Sequence, residues 1–83
     1  MDQKQLTGRQ IAAGRALLRK SQAELAKEAN VSVPTLKRME ASDGAAAGLA
    51  NNVAAIRTAL ETAGVLFIEQ NGHGPGVRLR DRQ

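Results

Sequence analysis

The sequence predicts a mainly α fold: a bundle of four to five short helices followed by a C-terminal β-hairpin. Three observations predict it. Apolar residues recur at helical spacing up to Ala63, and helix-capping signals cut that run into short pieces. After Gly64 the period changes to two, as it does in strands. The chain has 83 residues, enough for one small domain with a limited core.

Residues 1–6 read as a frayed tail. Thr7 and Gln10 then form T-x-x-Q, a capping box that opens a first helix over about Gly8–Arg19. Ile11, Gly14, Arg15 and Leu18 share one stripe of it. A glycine inside a helix costs stability, so the expected use of Gly14 is close approach of a neighbouring helix. Ser21 and Glu24 form a second box, S-x-x-E, ahead of a helix over Gln22–Ala29. Leu25, Ala26 and Ala29 face inward there, and Asn30 suits the left-handed conformation that ends helices.

Ser32 caps a third helix, Val33–Glu40, with Pro34 in the first turn, where a missing N–H costs nothing. Leu36 and Met39, with Val33 or Val31, supply its apolar side and leave Lys37 and Arg38 outside. Asp43-Gly44 signals a turn, and a small-residue stretch, Gly44–Gly48, leads to a fourth helix over about Ala50–Ala63. Val53, Ile56, Leu60 and Ala63 form its buried stripe, and Gly64 is placed as its C-terminal cap.

Val65-Leu66-Phe67-Ile68 and Val77-Arg78-Leu79-Arg80 read as two strands, with the glycine-rich residues 71–76 as the loop between them. A two-stranded hairpin alone is marginal in water, so it must dock on the helices or pair with a second copy. The favoured reading makes Val65, Phe67, Val77 and Leu79 the dimerisation face of a homodimer; the alternative turns them toward the subunit's own core. Arg78, Arg80 and Arg82 either follow a phosphate backbone or flank such an interface. The organisation is therefore a tail (1–6), a helical body (7–64) and a hairpin (65–83).

Composition narrows the function. Without cysteine there is no disulfide framework and no cysteine-based zinc site. No apolar run approaches the ~20 residues of a membrane span. The polar start, MDQKQLTGRQ, lacks the apolar core of a signal peptide, so the expected location is the cytoplasm. A net charge of +4 favours an acidic partner, nucleic acid first; otherwise the arginines only solvate the surface. A single phenylalanine as the sole aromatic argues against base stacking on aromatic platforms and leaves double-stranded DNA as the better fit. Gly72, Gly74 and Gly76 precede no helix and make no phosphate cradle. His73 has no companion ligands, so no metal, cofactor or catalytic set is expected and the chain is not read as an enzyme.

The stretch from Arg15 to Glu40 resembles the Cro/CI (XRE) family of helix-turn-helix regulators. The residues that carry the likeness are Arg15, Ser21-Gln22-x-Glu24-Leu25-Ala26, and Val31-Ser32-x-Pro34-x-Leu36-x-Arg38-Met39-Glu40. The resemblance spans residues 7–64 and implies a lambda-repressor-like helix-turn-helix bundle that binds double-stranded DNA. It implies that Arg15 and Glu40 form a structural ion pair joining the first and third helices. It implies that Gln22, with Ser21 beside it, holds a phosphate and braces the third helix. That helix becomes the recognition helix, whose Ser32, Val33, Pro34, Thr35, Lys37 and Arg38 reach the major groove. Arg38 is the first choice for reading a base, and Val33 departs from the polar residues common at its position. Asn51 and Asn52 lie near a phosphate-contacting place of the family, but either could simply cap the fourth helix.

The expected function is thus a dimeric transcriptional regulator on a near-palindromic operator, its own promoter being the first to try. An antitoxin using the hairpin to hold a toxin, and a protein-interaction adaptor, are the alternatives.

Overall fold

The computed structural model describes residues 5–69, 72 and 74–81. Its elements are α1 (Gly8–Leu17), α2 (Gln22–Ala29), α3 (Val33–Glu40), α4 (Ala50–Thr62), β1 (Val65–Ile68) and β2 (Gly76–Leu79). The fold is mainly α, with one antiparallel hairpin at its end. Residues 1–4, Asn71, His73 and Arg82, on which sequence expectations fell, lie outside the described residues.

The first three helices start where their caps dictate. Thr7 Oγ1 accepts the Gln10 N–H at 3.0 Å, while the Thr7 N–H donates to Gln10 Oε1 at 3.0 Å. Ser21 and Glu24 repeat the exchange at 3.0 and 2.8 Å. Ser32 Oγ accepts the Thr35 N–H at 3.2 Å. Each bond satisfies an amide that a helix start leaves without a partner. α4 has no such device: its N-cap is Leu49, with no side-chain bond. Asn51 and Asn52 lie inside the helix and do not cap it.

α1 ends at Leu17, two residues before the expected boundary. Arg19 turns into the left-handed region at φ 58°, and its N–H bonds Ala16 O while the Lys20 N–H bonds Arg15 O. This is the Schellman closure, commonly made by glycine. Asn30, at φ 60°, ends α2 in the same region, as its residue type predicts.

Ile11, Leu25, Leu36, Met39, Ile56, Leu60 and Val65 are fully buried. The core therefore draws on all four helices and on the first residue of β1. Leu6 is buried with them, which corrects its assignment to a frayed tail. Its carbonyl accepts the Ala46 N–H at 2.9 Å, Thr7 bridges Ala45, and the Gly8 N–H donates to Gly44 O at 3.1 Å. The segment before α1 is thus hydrogen-bonded to the α3–α4 connection.

The close approach expected at Gly14 occurs instead at Gly8. A Cβ on Gly8 would lie 2.3 Å from Met39 O, 3.0 Å from Ser42 O and 3.1 Å from Glu40 O. On Gly14 it would meet Val65 Cγ1 at 3.4 Å and Leu60 Cδ1 at 3.7 Å, ordinary contact distances. The N-terminal end of α1 consequently abuts the carbonyl end of α3, a favourable meeting of opposite helix-dipole poles.

The hairpin pairs Val65 with Leu79 and Phe67 with Val77 on one face, and Leu66 with Arg78 and Ile68 with Gly76 on the other. Val65 is fully buried, and Phe67, Val77 and Leu79 pack partly buried on the same core. The four residues favoured for a dimer face therefore dock the hairpin on its own helices, because an isolated hairpin would leave them in water. Gln10 clasps the other end: its Nε2 donates to Ile68 O at 3.2 Å and Gly76 O at 3.0 Å. The Arg57 guanidinium lies 5.2 Å from the Phe67 ring centroid and bonds Glu61 at 3.0 Å. Among the described residues, no helix is long and apolar enough to cross a membrane.

Candidate functional site

α2 and α3 are eight residues each, and only Asn30, Val31 and Ser32 separate them. Three donors converge on one carboxylate to fix this pair against α1. Arg15 Nε reaches Glu40 Oε2 at 2.8 Å and Arg15 Nη2 reaches Glu40 Oε1 at 3.0 Å. Gln22 Nε2 donates to the same Oε1 at 2.9 Å. The expected ion pair is therefore present, and Gln22 braces α3 through it. The remaining Arg15 nitrogen, Nη1, donates to Lys20 O at 3.0 Å and holds the α1–α2 turn.

The Arg15 pKa is raised above its ordinary value: the hydrogen bond to Glu40 is the largest cause, burial opposes it, and the carboxylate's charge adds a smaller upward push. A raised arginine pKa contributes stability that is complete below the ordinary value and lost only as pH climbs through the raised one. The arginine side of the pair thus stays charged at any physiological pH.

The outer side of α3 follows from helix geometry. Leu36 and Met39 point into the core, so Pro34, Lys37 and Arg38 face out and are exposed, with Val33 and Thr35 half-buried on the flanks. Ser32 and Ser21 are exposed at the two helix starts, their hydroxyls engaged as caps. Lys20 pairs with Glu28, Arg57 with Glu61 and Arg15 with Glu40, but neither Lys37 nor Arg38 joins an ion pair among the described residues. The structure therefore presents Pro34, Lys37 and Arg38 along the outer face of α3, with Ser32 at its start and Val33 and Thr35 on its flanks. Gln22 is turned toward Glu40, with Ser21 next to it at the start of α2.

Of the hairpin arginines, Arg78 and Arg80 lie among the described residues and are both exposed. Arg80 Nη2 donates to Glu61 O at 3.0 Å and so covers the carbonyl end of α4. Sequence reasoning missed this role of Arg80, the second role of Gln10 and the placement of Arg57. No local signal marks them, since Gln10 meets partners 58 and 66 residues away. Among the described residues, no group of three or more histidine, cysteine or acidic side chains is placed to hold a metal ion.

No protein-family model matches the chain, and no curated protein matches it significantly.

Proposed function

We propose that this chain is a sequence-specific double-stranded-DNA-binding transcriptional regulator of the helix-turn-helix type, with a lambda-repressor-like helical body. α3 is its recognition helix and enters the major groove. The observation that carries this reading is the contrast on α3: Glu40 on the inner side is held by Arg15 and Gln22, while Lys37 and Arg38 on the outer side are exposed and join no ion pair among the described residues. A helix fixed from behind and presenting exposed cations in front suits a polyanion with readable edges. Guanine offers Arg38 two acceptors, O6 and N7. Ser21 at the α2 start suits a phosphate, because helix N-termini attract anions.

One eight-residue helix covers only a few base pairs, so a dimer is part of the proposal. Two copies would set their α3 helices about 34 Å apart on a near-palindromic site. With the inner hairpin face spent on the core, the outer face remains for the second copy. It carries Leu66 and Ile68, the latter 44% exposed. Blocking polymerase by occupancy is the simplest regulatory mechanism, and no catalytic step is proposed.

A mobility-shift assay on the protein's own promoter, with excess competitor DNA, tests this function. A discrete, competitor-resistant complex supports it; diffuse or absent binding contradicts it.

A further inference from the structure

Polar groups are unevenly distributed along the outer face of α3. In its first turn the hydroxyls are turned on each other: Ser32 Oγ accepts the Thr35 N–H at 3.2 Å and donates to Thr35 Oγ1 at 2.8 Å. Val33 and Pro34 bring no side-chain donor or acceptor, and Pro34 has no N–H either. The exposed group at the centre of that turn is therefore the Pro34 ring. One turn later on the same face come the exposed cations Lys37 and Arg38.

Such a face cannot treat all base pairs alike. Pressed against a donor or acceptor edge, the proline ring would remove water and return no hydrogen bond, which is unfavourable. The major groove offers one apolar group, the C5-methyl of thymine. Pro34 and Arg38 are four residues apart, about 6 Å along a helix, and base pairs stack about 3.4 Å apart.

Resting on the DNA-binding reading above, we infer that α3 reads its half-site in two parts. Pro34 packs on a thymine methyl, and Arg38 bonds O6 and N7 of a guanine one to three base pairs away. Specificity in the first turn is then apolar, and the hydroxyls of Ser32 and Thr35 shape the helix start rather than read bases.

The experiment begins with enrichment of an operator from randomised duplexes using the full chain. Each thymine is then replaced singly by deoxyuridine, which removes only the methyl, and each guanine by 7-deazaguanine, which removes only the N7 acceptor. Binding is measured for the wild type, Pro34→Ser, Pro34→Ala and Arg38→Ala, each first shown to be folded by circular dichroism. One deoxyuridine is expected to weaken wild-type binding about fourfold, the worth of one buried methyl. That penalty disappears in Pro34→Ser and shrinks in Pro34→Ala. One 7-deazaguanine within three base pairs weakens wild-type binding about tenfold and has no effect on Arg38→Ala. An enriched operator indifferent to every deoxyuridine, or a deoxyuridine penalty equally large in Pro34→Ser, overturns this inference and leaves DNA binding standing. Failure to enrich any sequence overturns the DNA-binding reading itself, and this inference with it.

Discussion

Arg15 meets the carboxylate of Glu40 side-on, Nε 2.8 Å from Oε2 and Nη2 3.0 Å from Oε1, across 25 residues of sequence. The bidentate geometry ties the last turn of α1 to the last residue of α3. Gln22 adds a third donor from the first residue of α2. One carboxylate therefore sets how three helices stand, and with them the direction in which Lys37 and Arg38 point.

Glu40→Ala should leave the guanidinium without its partner. The Glu40 side chain is 8% exposed and that of Arg15 23%, so the loss falls at or below the low end for a broken buried pair, about 2–3 kcal/mol. In a domain this small that lowers Tm by roughly 10–20 °C. A thermal melt followed by circular dichroism checks it; an unchanged melt would show that the pair does not hold the bundle.

Gly8 and Gly14 should respond to alanine with opposite signs. Helix propensity favours alanine at both, by about 1 kcal/mol. At Gly8 a Cβ would stand 2.3 Å from Met39 O, a backbone atom, so Gly8→Ala is expected to destabilise by about 1–3 kcal/mol. At Gly14 the neighbours are the Val65 and Leu60 side chains at contact distance, and Gly14→Ala should stabilise by up to about 1 kcal/mol. Denaturant titration of the two variants measures both signs.

Gln10→Ala should loosen the hairpin selectively. The side chain is 6% exposed, caps α1 and donates to Ile68 O and Gly76 O. Its loss leaves those groups short of partners, at about 1–3 kcal/mol. Hydrogen exchange should speed up at the β1 and β2 amides and much less in α2 and α3. Uniform acceleration would mean that the hairpin and the helices open together.

What was legible in the sequence follows the range of the interactions. Thr7, Ser21 and Ser32 announce their helices because a cap acts over three residues, and Asn30 announces a helix end by its own conformational tolerance. The Arg15–Glu40 pair spans 25 residues and came from the motif's resemblance rather than from spacing. Leu6 was missed because one leucine in a polar tail has no period; its burial depends on pairing with the α3–α4 connection. The alternation of β1 and β2 gave the hairpin but not what its apolar face meets. Core docking over exposure was decided by Ile11, Leu60 and their neighbours, which are far away in sequence.

Changes on the outer side of α3 should affect DNA and leave the fold alone. Arg38→Ala is expected to cost about 1–3 kcal/mol of binding and to relax preference at one base position. If Lys37 meets a phosphate, Lys37→Ala weakens all sequences alike and reduces the salt slope by about 1. Both residues are exposed, so stability should move by less than about 0.5 kcal/mol. Titrations at several salt concentrations, paired with melts, separate the two roles.

Ile68→Glu and Phe67→Glu distinguish the two faces of the hairpin. Ile68 is 44% exposed, whereas Phe67 packs on the core under Arg57. If the outer face builds the dimer, Ile68→Glu gives folded monomers in light scattering, and Phe67→Glu gives an unstable protein. An unchanged mass for Ile68→Glu would remove the outer face as the interface and free it for a different protein partner.

The central claim is that α3 reads DNA through its outer face. Its most direct test is an anisotropy titration of a labelled fragment of the protein's own promoter, with excess competitor DNA. The wild type is compared with the Lys37→Ala, Arg38→Ala double variant. The account predicts saturable, competitor-resistant binding by the wild type and its loss in a double variant that melts normally. Equal binding by both proteins, or competitor-sensitive binding alone, would contradict it.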